Sequence, residues 1–65
     1  MTHEIVVLVE RVEAGYVATA SDGVGVVASA RSRVRDQAVA EARLETLRRL
    51  TGRARFIVRD LGGQS

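Results

Sequence analysis

Apolar positions along the chain fall into four short runs and one longer stretch of helical spacing. The first run, Ile5-Val6-Val7-Leu8-Val9, is continuous and rich in β-branched side chains. That continuity predicts a strand covered on both faces or set at a subunit contact. Beyond it polar residues return on both parities, Glu10, Val12 and Ala14 on one and Arg11 and Glu13 on the other, so the far end of the strand should reach solvent. His3 precedes the run and reads as a solvated side chain of a frayed terminus. Glu13-Ala14-Gly15 makes a turn, where a residue without Cβ lets the chain reverse at low steric cost. A second strand over 16–20 puts Tyr16, Ala18 and Ala20 on one face and Val17 and Thr19 on the other. Its small residues let a helix lie close. Ser21-Asp22-Gly23 marks a second reversal, and Gly25 is expected to permit close backbone approach before a third strand over 24–30.

Residues 34–50 lack glycine and proline and are strong helix formers. Ser32 is expected to cap this helix, with Asp36 in its first turn against the positive end of the helix dipole. Val39, Ala42, Thr46 and Leu50 recur at helical spacing and should face a sheet. A second stripe, Ala40, Leu44 and Leu47, is turned well away from the first and calls for something else to cover it. Glu41 and Glu45 are within reach of Arg48 and Arg49 at helical spacing. Gly52 is expected to stop the helix in the left-handed region. Over 53–59 the pattern alternates again, with Ala54, Phe56 and Val58 inward and Arg55, Ile57 and Arg59 outward. The expected fold is α+β in the order β-β-β-α-β: a three-stranded antiparallel sheet, one long helix packed on it, and a fourth strand. One domain over 1–61 is expected, with a mobile tail over 62–65.

Sixty-five residues support one small core, and without cysteine neither a disulfide nor a thiolate metal site can brace it. Self-association is the remaining device, so a homodimer or higher oligomer is expected. Ile5, Val7 and Val9 on the first strand and Leu44 and Leu47 on the helix are the candidate partner or oligomer contacts. The net charge of +2 includes ten arginines and no lysine. No charged-then-apolar leader is visible, and no apolar run approaches the roughly 18 residues that span a bilayer. A cytoplasmic protein without membrane contact is the resulting expectation.

Gly15-Tyr16-Val17-Ala18-Thr19, Ser21-Asp22, Val24-Gly25-Val26-Val27 and Arg35-Asp36-Gln37-Ala38-Val39-Ala40-Glu41-Ala42 occur in an order that resembles the N-terminal domain of HicB-family antitoxins. In that family a G-Y-V-A strand leads to a P-D-L-P-G turn and then to a T-x-E-E-A-L-x-N-A helix. The likeness covers residues 5–50. It departs from the pattern at Ser21 and Val24, which stand in place of the turn prolines, and at Val34, in place of the capping threonine. The resemblance implies a partial RNase H-like fold and a non-catalytic domain that sequesters a small HicA-type toxin, itself an mRNA-cleaving enzyme. Family members often carry a further C-terminal DNA-binding segment; these 65 residues leave no room for one, so operator binding is not expected.

Three other chemistries compete with this reading. A two-metal nuclease of RNase H shape needs converging carboxylates, whereas the central run of the first strand has none. Glu4 and Glu10 only flank that run, with Glu41 on the helix and Asp60 ending the last strand. Direct nucleic-acid binding would use Arg31, Arg33, Arg35, Arg53, Arg55 and Arg59, with only Tyr16 and Phe56 available for base stacking. Asp22-Gly23-Val24-Gly25 lacks the third glycine and the following helix of a dinucleotide loop. Neither a catalytic set, a metal site nor a cofactor is expected.

Overall fold

A computed structural model describes residues 2–61; the tail expected over 62–65 lies outside them. The elements are β1 (Thr2–Val12), β2 (Gly15–Ser21), β3 (Val26–Ser32), α1 (Arg35–Arg49) and β4 (Arg53–Asp60). They form one four-stranded sheet in the order β3-β2-β1-β4. β1 and β2 are antiparallel, as are β2 and β3, whereas β4 runs parallel to β1 with Ile5 beside Phe56 and Val7 beside Val58. The α+β order β-β-β-α-β is as expected, but the sheet is mixed rather than three antiparallel strands: β4 joins it in parallel. α1 joins the two edge strands, carrying the chain back so that β4 starts at the same end of the sheet as β1, which is the geometry a parallel pairing requires.

Ile5, Val7 and Val9 point to the helix side and are fully or almost fully buried with Ala18, Ala20, Ala28, Ala38, Val39 and Ala42. They are core residues, packed with α1 of the same chain. Val6 and Leu8, at the intervening positions, are half-buried on the opposite face. α1 packs chiefly on β2 and β3 and touches β1 and β4 only at its margin. The side chains explain this lean. Alanines at 18, 20, 28 and 30 let the helix axis approach β2 and β3, while the larger Ile5, Val7 and Phe56 widen the gap toward β4. Phe56 is consequently only partly buried, and Val58 is 40% exposed although it faces the helix side.

The buried helix face is Ala38, Val39, Ala42 and Thr46, with Leu50 packed at its end. Thr46 is the one polar member of the core among the described residues, and its hydroxyl donates to the Ala42 carbonyl at 2.8 Å. Local details differ from expectation at both helix ends. Ser32 is the last residue of β3; Val34 occupies the N-cap in extended conformation with no side-chain bond. Ser32 instead accepts the Val34 N–H and donates to Gln37 Oε1, bracing the link from strand to helix. At the other end Leu50 is the C-cap, extended, and its N–H reaches the Thr46 carbonyl. Gly52 does hold a positive φ of 94°, but two residues past the cap, where the chain turns into β4. His3 is part of β1 rather than frayed, and its Nε2 lies 2.9 Å from the Thr51 carbonyl. A Cβ on Gly25 would meet nothing within 4 Å, so close approach is not its role. Among the described residues no helix is long and apolar enough to cross a membrane.

Candidate interaction site

Two surfaces remain after the core is assembled. The first follows from the lean of α1. Ala40, Leu44 and Leu47 stand on its outer side, and with Arg43 they line a shallow depression. Leu44 and Leu47 are 52% and 48% exposed, where the sequence places an uncovered stripe. Arg43 links this depression to the sheet, since its guanidinium lies 5.0 Å from the centroid of the Phe56 ring. A cation over an aromatic face is an attractive arrangement that also screens part of the ring from water.

The N-terminal end of α1 is tied to the end of β4. Arg35 donates from Nε and Nη2 to the two carboxylate oxygens of Asp60 at 2.8 and 3.1 Å, and from Nη1 to Asp36 at 3.1 Å. The hydrogen bonds and charge of Arg35 hold the Asp60 carboxyl below its ordinary range, and Asp60 in turn raises the Arg35 guanidinium. The fork of Arg35, one of the candidate nucleic-acid contacts, is engaged by these two carboxylates. At the opposite end Glu45 pairs with Arg48 at 2.9 Å and Arg49 at 3.7 Å, while Glu41 joins no ion pair among the described residues.

The second surface is the sheet face turned away from α1. Val6, Leu8, Val17 and Ile57 form a half-buried apolar patch there. Arg53, Arg55 and Arg59 share that side of β4, Glu4 and Glu10 that side of β1, and Arg31 that side of β3 beside Val17. Arg33 is exposed in the link to α1. The six candidate arginines thus separate: three on β4, one across the sheet, one in a loop and one in an ion pair. Tyr16 and Phe56 both belong to the helix side, which leaves the arginine-bearing face without an aromatic platform.

The carboxylates that a two-metal nuclease would need are also distributed. Glu4 and Glu10 stand on the open face, Asp60 on the helix side against Arg35, and Glu41 on the exposed flank of α1. Among the described residues no group of three or more His, Cys, Asp or Glu side chains is placed to hold a metal ion. In the β2–β3 turn, Asp22 accepts N–H bonds from Val24 at 2.9 Å and Gly25 at 3.1 Å, which lower its pKa. This is an Asx turn that closes the hairpin.

The Arg43–Phe56 stack and the Arg35–Asp60 fork were not anticipated from the sequence, because each joins residues from α1 and β4 whose approach depends on the parallel pairing. Comparison with protein-family models, with curated proteins and with solved structures gives no match for this chain.

Proposed function

We propose that this chain is a non-catalytic protein-interaction domain of the HicB type, which holds a small partner protein against the Leu44–Leu47 side of α1. The observation that carries the reading is the exposed apolar depression of Ala40, Leu44 and Leu47, continuous through Arg43 with the half-covered Phe56 of β4. An apolar strip left open on so small a domain marks a contact surface. The dispersal of Glu4, Glu10, Glu41 and Asp60 over three sides favours binding over hydrolysis. By the resemblance, the partner is a HicA-type toxin that cleaves mRNA, met in the cytoplasm.

Assay of such a toxin from the same genome on RNA tests this. Equimolar addition of the chain is expected to suppress cleavage, and the Leu44→Glu/Leu47→Glu double variant to restore it while keeping its circular dichroism spectrum. Undiminished cleavage under excess wild-type chain contradicts the reading. A second reading, in which another copy covers the strip, is favoured by the thinness of the core: among the described residues no fully buried side chain is larger than isoleucine.

A further inference from the structure

The sheet has two outer strands, and they are built differently. On β3 the ladder to β2 slips at Ala20/Ser21, so that Ser21 faces Val26 and Ala20 faces Ala28, leaving Val27 unmatched. Arg49 donates to that Val27 carbonyl at 2.9 Å. A bulged strand with an occupied carbonyl is a poor template for another strand. β4 has neither protection. Its residues pair with β1 in unbroken register from Thr2↔Arg53 to Val9↔Asp60, it contains no proline, and among the described residues no strand lies on its far side.

The two rows of side chains along this free edge have opposite chemistry. On the helix side Ala54, Phe56 and Val58 offer incompletely covered apolar surface. On the open side Arg53, Arg55 and Arg59 are exposed and make no ion pair among the described residues. An extended segment lying along β4 would find backbone N–H and C=O groups at its side, apolar neighbours at alternate positions and cations at the others.

A second copy suits this edge poorly. Two-fold pairing of β4 with itself is antiparallel, keeps both helices on one side of the sheet and sets positions of equal parity opposite one another. Centring on Phe56 puts Arg53 opposite Arg59, and centring on Ile57 puts Arg55 opposite Arg59. Like charges directly opposite disfavour such pairing. A nucleic-acid strand would satisfy the arginines but leave the strand edge and the apolar row unused, and the aromatic ring of β4 is on the wrong side to stack with it.

We propose that β4 is a docking edge for an acidic extended segment of another protein, one alternating carboxylate and apolar side chains, which adds a fifth strand to the sheet. This edge abuts the Leu44–Leu47 strip at Phe56, through Arg43, while its backbone groups and its three arginines lie outside that strip. A synthetic octapeptide alternating glutamate and valine, its lysine-for-glutamate counterpart and a single-stranded oligothymidylate are the probes, titrated into the full chain labelled with ¹⁵N. The acidic peptide is expected to bind at least about tenfold more tightly than the lysine peptide and to shift chiefly the amides of β4. Arg55→Glu/Arg59→Glu, two exposed changes, should weaken it by about tenfold. Leu44→Glu/Leu47→Glu should leave it unchanged, so this inference and the toxin-binding reading fail separately. Equal affinity for the two peptides, shifts confined to other elements, tighter binding of the oligonucleotide at the same arginines, or a dimer formed through β4 would each overturn it.

Discussion

Gly15 shows how much one residue carries here. Its φ of 151° lies in the region that L side chains rarely adopt, and a Cβ there would collide with the Ser32 carbonyl oxygen and press on the backbone of Arg33. The turn between β1 and β2 accounts for a glycine at this point, and that much follows from Glu13-Ala14-Gly15. The approach of the end of β3, seventeen residues later, does not, because it depends on the pairing of Tyr16 with Ser32. Gly15→Ala is therefore expected to destabilise the protein by about 1–3 kcal/mol. For a domain of this size, with total stability of roughly 3–10 kcal/mol, that is a large fraction. Urea unfolding of the two proteins measures it; an unchanged midpoint would mean that the approach of β3 is looser than described. Phe56 carries a different lesson. Alternation along 53–59 placed it inward, as observed, but how far it is covered depends on where the helix lies, and that is set by alanines on other strands.

Among the elements, α1 was the most readable, since Val39, Ala42 and Thr46 recur with the period of one buried face and all three are buried. Its ends were less so. The N-cap position falls on Val34, whose apolar side chain cannot bond the helix, and Ser32 acts two residues earlier in the chain. The parallel union of β1 with β4 leaves no local trace, because its partners stand about fifty positions apart. That union also creates the tie between α1 and β4 through Arg35 and Asp60. Asp60 has its pKa lowered in the folded protein, so its contribution is present above the usual aspartate value of 3.8 and is lost as pH falls through the lowered folded value. Asp22 has the same sign. Thermal melts from about pH 5 down to about pH 2 should show falling stability. Asp60→Asn, which lacks its share at every pH, should lose less over that interval. Equal acid losses in the two proteins would show that the Arg35–Asp60 fork adds nothing to stability.

At the scale of the molecule, a single helix cannot cover both faces of a four-stranded sheet, and leaning toward β2 and β3 it does not fully cover even one. The composition announced the shortage: 65 residues, one phenylalanine, one tyrosine and no cysteine. It did not announce where the uncovered surface would lie, since Ile5, Val7 and Val9 looked as available for a partner as Leu44 and Leu47. The structure buries the first group under α1 and leaves the second outside. The central claim is that another protein molecule covers this outer strip, and multi-angle light scattering of the chain, alone and mixed with a HicA-type toxin, tests it most directly. The account predicts a species heavier than the 7.0 kDa chain in at least one of the two samples, reduced to 7.0 kDa by Leu44→Glu/Leu47→Glu. A wild-type chain that stays at 7.0 kDa in both, or a heavier species indifferent to the double substitution, would contradict it.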